Sequence, residues 1–238
     1  MKMKMKNDKH VEKCKSCFDF FNEVFRNIED YESMFSRSER MLLKASEAMK
    51  WNFNESDFPE RPNTIFLEDN QIYLLVPYLS ANDTKNGCQR SFDNFFMLLS
   101  PDSFAKNKRM GRQVVVSDIR NRANSPIDNY RPGLRWVKFG VYRQEDLDNN
   151  SDYTNLIKRK AGLEMLVFLY YYMDRFKYFT KYFGQFPIEG YHYYTSANKL
   201  TDYLAYVYKD DDSDKPAIEM MLSQEVHTNC LFLVDDLI

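Results

Sequence analysis

Glycine is scarce in this chain, with seven residues in 238. Few positions therefore suit a positive φ, which disfavours tight I′ hairpins and glycine-cradled phosphates as recurring themes. Cysteine is limited to Cys14, Cys17, Cys88 and Cys230. The start, MKMKMKNDKH, is basic and lacks the apolar stretch of a secretory signal. The thiols are therefore expected to stay reduced, in a cytoplasmic, non-secreted protein, or in a virion if the chain is phage-encoded. Long apolar runs are missing too. The longest, residues 162–173, contains Glu164 and falls short of the ~20 residues a bilayer crossing needs, so no membrane partner is expected. Nucleophile motifs, phosphate loops and complete local metal patterns are also absent from the sequence.

What is present is apolar and aromatic. Hydrophobic residues make up 44% and aromatic residues 16%, well clear of the composition of disordered chains. Lys, Asn, Asp, Phe and Tyr dominate over Ala and Gly, a bias of AT-rich coding such as that of many bacteria and their phages. No internal repeat is visible.

Apolar spacings of three and four predict a helix over residues 11–28. Ser36 and Glu39 form a capping box for a second helix that runs to Met49, with a break at 33–36. Pro59 and Pro62 make residues 52–63 a connector. Strands are predicted at 64–68 and 71–78, joined by a turn at Asp69-Asn70. A loop at 80–90 leads to 92–99, which reads as strand or short helix. Residues 113–117 (QVVVS) and 134–142 read as strands. In the latter, Val137, Phe139 and Val141 share one face, and Trp136, Lys138 and Tyr142 the other.

Past Asp152 the pattern turns helical. Met165, Leu169, Tyr172, Phe176, Phe179 and Phe183 form a seam that predicts a long helix over 154–183, ended by Gly184. A short strand at 191–195 follows, then a helix capped by Ser196 and carrying Leu200, Tyr203, Leu204 and Val207. Another helix begins at Pro216, and a last strand covers 231–234. The expected fold is α+β: an antiparallel or mixed sheet in the middle of the chain, covered by N-terminal and C-terminal helices. One domain is expected over 1–238, with a helical pair at 1–51, mainly strands at 64–143, and a helix-rich part with short strands at 153–238.

Charge carries the main functional hint. Residues 106–143 hold ten basic side chains (Lys106, Lys108, Arg109, Arg112, Arg120, Arg122, Arg131, Arg135, Lys138 and Arg143) against Asp118 and Asp128, in a chain of formal net charge −2. Such asymmetry points to a polyanion or to an acidic protein surface. Lys and Arg neutralise phosphates, and aromatic rings stack on unpaired bases. The candidate partner-binding or nucleic-acid-binding residues are therefore Lys106, Lys108, Arg109, Arg112, Arg120, Arg122, Arg135, Trp136, Lys138 and Tyr142. Against this stands a plain surface reading, with the charges solvated or paired to the chain's own acids and Trp136 in the core.

A weaker candidate is a zinc staple from Cys14, Cys17, His227 and Cys230, with His10 as a spare ligand. Its two halves lie ~210 residues apart, far from a compact finger spacing, and a buried cysteine pair on one helix face also serves as plain apolar packing. No cofactor is expected. Acid–base chemistry from His192, His227, Asp118 or Glu164 would make a metal-dependent nuclease the least strained enzymatic reading, but no triad or paired acidic motif assembles. The tyrosines of 170–172, with Phe176, Tyr178, Phe179 and Tyr182, suit a core or an interface centre.

The leading expectation is a non-enzymatic binding or assembly protein. It would be a subunit of a phage-type or host-interaction complex or a homo-oligomer, using its basic central surface and aromatic C-terminal half. Nucleic-acid binding by 106–143 is the alternative.

Overall fold

The computed structural model describes residues 31–68, 70–111, 113–116, 127, 130–143, 158–176, 185–194, 200–209, 216–222 and 230–236. They form helices α1 (Tyr31–Met49), α2 (Thr84–Leu99), α3 (Pro101–Arg109) and α4 (Leu163–Tyr171). The strands are β1 (Gln71–Tyr78), β2 (Gln113–Val116), β3 (Gly133–Arg143), β4 (Lys158–Lys160), β5 (Gln185–Tyr194), β6 (Leu200–Lys209), β7 (Pro216–Leu222) and β8 (Cys230–Asp236). The fold is α+β with antiparallel pairing throughout the described sheets.

The described strands form two four-stranded sheets. One runs β1-β3-β8-β4 and the other β2-β5-β6-β7. Helices α2 and α4 each touch strands of both, so a helical layer joins the sheets. β1 is buried along its whole length although it ends its sheet, because α1, α2 and α4 pack on it. Covering an edge in this way hides its apolar residues from other chains.

α4 explains itself by composition. Its nine residues, LEMLVFLYY, are all buried, as suits a helix that is apolar nearly all round. The one charged member, Glu164, accepts from the Tyr78 hydroxyl at 2.6 Å and from the Gly162 N–H at 3.2 Å. It thereby satisfies one of the helix's orphan N-terminal donors. Phe168 stacks on Phe139 of β3 with ring centroids 4.5 Å apart, and Phe232 of β8 continues the stack at 5.6 Å.

Several elements differ from the sequence expectation. α1 runs unbroken through 33–36. Residues 64–68 form no strand: Asn63 caps a 3-10 turn at Thr64–Phe66. β1 therefore pairs with β3 rather than in a hairpin. Residues 84–99 are one helix, with Asp83 accepting from the Asn86 N–H at 2.7 Å. The long helix expected over 154–183 is shorter within the described residues. Lys158–Lys160 is a strand, α4 begins after Gly162, and a 3-10 turn at Met173–Arg175 follows it. The helices expected after Ser196 and from Pro216 are strands β6 and β7. Residues 11–28 lie outside the described residues.

Candidate functional site

Among the described residues the basic segment does not assemble as one face. Lys106, Lys108 and Arg109 end helix α3, whose first turn is set by Pro101 at a position where the missing N–H costs nothing. All three are exposed, as is Met110, at 52%. α3 contains no buried residue. It is held through half-buried Phe104, whose ring meets Phe96 edge-on at 5.3 Å, and through contacts with β7. Basic groups in a last helical turn also complement the helix dipole.

The remaining candidates on β3 are tied into the fold. Trp136 is 4% exposed, donates from Nε1 to the Pro59 carbonyl at 3.2 Å, and meets Phe35 edge-on at 5.0 Å. Tyr142 is 5% exposed, and its hydroxyl accepts from Gln71 Nε2 at 2.7 Å. Neither ring offers a face to a base. The two-face alternation along β3 holds, but packing covers both faces. Lys138 faces Asp235 across the β3–β8 ladder, with Nζ 3.6 Å from a carboxylate oxygen. Arg135 sits over the Tyr78 ring, its guanidinium carbon 4.0 Å from the centroid. Arg112, Arg120 and Arg122 lie outside the described residues.

The zinc candidates Cys14, Cys17 and His227 also lie outside the described residues, as do Asp118 and His10, while Cys230 opens β8. Among the described residues no group of three or more His, Cys, Asp or Glu side chains could hold a metal ion. In the same set no helix is long and apolar enough to cross a membrane. The tyrosines at 170–172 are buried, and the Tyr171 hydroxyl donates to the Leu75 carbonyl at 2.6 Å. They belong to the core.

Two polar networks go beyond what the sequence pattern announces. In the first, Tyr78 joins Glu164 below to Arg135 above. In the second, Asp93 of α2 accepts at one oxygen from Gln89 Nε2 at 2.8 Å and from the Tyr191 hydroxyl of β5. Gln89 also donates to the Val114 carbonyl at 2.9 Å and accepts from the Val116 N–H at 2.7 Å. Burial raises the Asp93 carboxyl above its ordinary range, opposed by donation from Tyr191 and Gln89. Burial, then the nearby Asp93 charge, raises Tyr191. These contacts fasten α2 to β2 and β5. The spacing of Gln89 and Asp93, four apart on one helix face, is visible in the sequence, but their shared target is not.

An open cleft of about 510 Å³ lies along α1, with Glu39, Arg40, Lys44, Glu47, Glu55 and Phe58 in its walls. Its charges are mixed, and Glu39 is already paired with Arg61 at 2.6 Å.

No known family, no curated protein and no solved structure matches this chain.

Proposed function

We propose that this chain is a non-enzymatic binding or assembly protein that engages an acidic protein surface through the end of α3. The observation that carries this is a short helix with no buried residue whose last turn presents Lys106, Lys108 and Arg109 beside exposed Met110. An adaptable thioether within a cationic rim suits a protein interface, where charge steers encounter and apolar contact holds the complex. None of the three cations has an ion-pair partner among the described residues. Burial of Trp136 and Tyr142 favours a protein over single-stranded nucleic acid, since the rings that would stack on bases are already packed.

The test compares the wild type with a Lys106→Ser, Lys108→Ser, Arg109→Ser variant of matched folding. Both are used to capture partners from the native host, and association rates are then measured. The expected result is a partner whose association slows about tenfold in the variant and whose capture weakens as salt rises. Equal recovery and equal rates would overturn the proposal. Steeply salt-dependent binding of DNA or RNA by the wild type, lost in the variant, would replace it with the nucleic-acid reading.

A further inference from the structure

Three large apolar side chains are exposed among the described residues, and two of them stand in surroundings of opposite charge. Met110 follows Lys106, Lys108 and Arg109 at the end of α3. Ile65, 76% exposed, stands beside a cluster of acids. Arg61 holds that cluster together, with guanidinium nitrogens 2.6 Å from carboxylate oxygens of both Glu32 and Glu39. Its guanidinium carbon lies 5.5 Å from the centroid of the Phe35 ring, and Phe35 stacks on Tyr73 of β1 at 5.8 Å. The Tyr73 hydroxyl in turn donates to the Asn63 carbonyl at 3.2 Å, and Asn63 caps the turn that carries Ile65. Arg61 and Ile65 are four residues apart, so their Cα atoms lie within about 15 Å of each other. That separation fits inside one standard interface patch of roughly 800 Å² per partner.

The charges of this face do not cancel. One guanidinium meets the carboxylates of Glu32 and Glu39, and exposed Glu60 adjoins it in the chain, which leaves two negative charges over. Of the cations on α1, Arg37 is paired with Asp174, while Arg40 and Lys44 line the cleft with Leu43. The end of α3 is the complement, three cations beside an exposed thioether, and the acid of that helix, Asp102, lies away in its first turn. The two faces belong to different parts of the fold. α3 contacts β7, whereas the turn of Ile65 hangs on β1 of the other sheet. Each face repels its own likeness, so a contact between copies has to join unlike faces, head to tail.

We infer that the acidic surface met by the end of α3 is the Glu32, Glu60 and Ile65 face of a second copy of this chain, which rests on the reading of α3 as a protein-docking surface. Met110 and Ile65 then meet at the centre, and the charges around them form a polar rim.

The experiment is sedimentation velocity of the full chain over a concentration series, at low and at high salt. The wild type should associate at low salt, with an association constant about tenfold lower at high salt, where charges are screened. The Lys106→Ser, Lys108→Ser, Arg109→Ser variant should associate about tenfold more weakly, with unchanged circular dichroism, and so should a Glu32→Gln, Glu60→Gln variant, in which Arg61 keeps Glu39. Ile65→Ser should weaken association at both salt concentrations, because it removes apolar contact and no charge. Mixed together, the two charge variants should form a one-to-one pair, since each keeps the face that the other lacks. A wild type that stays monomeric at every concentration overturns the inference. So does association unchanged in the Glu32→Gln, Glu60→Gln variant, or failure of the two charge variants to pair. Should a monomeric wild type still capture a host partner through Lys106, Lys108 and Arg109, the docking reading stands and only the second copy falls as its partner.

Discussion

The two sheets share antiparallel pairing and differ in what holds them to the helices. In β1-β3-β8-β4 the β1–β3 ladder runs without a shift from Gln71 opposite Gly140 to Tyr78 opposite Gly133. Its helical cover is fastened by stacked rings of Phe139, Phe168 and Phe232. In β2-β5-β6-β7 the β5–β6 register shifts between Ile188 and His192 and again before Tyr194. There the fastening to α2 includes a polar clasp of Gln89, Asp93 and Tyr191. Apolar burial is non-directional and insensitive to pH, whereas a hydrogen-bonded carboxylate needs one geometry and responds to protons. The first sheet should therefore set the stability of the whole, and the second should open more readily.

The largest expected effect follows from the ring stack. Phe139 is 0% exposed, so Phe139→Ala should cost about 3–5 kcal/mol in denaturant unfolding, from lost burial plus the cavity left behind. A loss below about 1 kcal/mol would mean that this stack is not what fastens the first sheet.

A smaller effect is expected at the clasp. Tyr191→Phe keeps the buried ring, which lies 4.7 Å from Phe92, but withdraws the hydroxyl donor from Asp93. The cost should be about 1–2 kcal/mol, that of a hydrogen bond to a charged or desolvated group. Amide exchange should speed up in β2 and β5 while β1 and β3 keep their protection. Equal acceleration in both sheets would show that they open as one unit and would end the comparison.

What could be read from the sequence divides only in part along the same line, since β2 of the second sheet stands where residues 113–117 are expected as a strand and β4 of the first falls within the expected long helix. β1, β3 and β8 stand close to where alternation and β-branched content placed them. Of the expected seam, Met165, Leu169, Tyr172 and Phe176 are buried and Phe179 and Phe183 lie outside the described residues, among which the helix spans Leu163–Tyr171. The second sheet was harder. Leu200, Tyr203, Leu204 and Val207 fit a helical face, yet Tyr203, Ala205 and Val207 fit a strand equally well, and pairing with β5 and β7 decides between them. Pro216 suits the first turn of a helix or the first residue of an edge strand, and local sequence cannot choose. Pro187 is tolerated inside β5 because, among the described residues, β2 pairs only with Tyr191–Tyr194. α2 did leave a signal: Asp83 before Cys88, Phe92, Phe95, Phe96 and Leu99, which the Asn-rich and Gly87-containing start obscured. Of the candidate site, the positive charge was legible. Its division between exposed Lys106–Arg109 and packed Trp136 and Tyr142 was not, because β3 lies inside its sheet, covered on both faces.

The smallest and most discriminating effect is that of Asp93→Asn. Burial lifts the Asp93 carboxyl above its ordinary value of 3.8, and donation from Tyr191 and Gln89 only partly opposes this. The folded chain thus holds this proton more tightly than the unfolded chain does. The associated stability is fully present below the ordinary aspartate value and is lost as pH rises through the raised, folded one. The amide introduced by Asp93→Asn would keep an oxygen that can accept both donors and would remove the titration. The variant should therefore be at least as stable as the wild type at neutral pH. The wild type should gain on the variant as pH falls towards 3.8, read from unfolding midpoints across a pH series. The opposite outcome is equally readable. A variant weaker at neutral pH, with a deficit that grows as pH rises, would mean that the two donors outweigh burial. The clasp would then be a charge-assisted tie, and the second sheet would be held more firmly at neutral pH than the comparison with the first sheet allows.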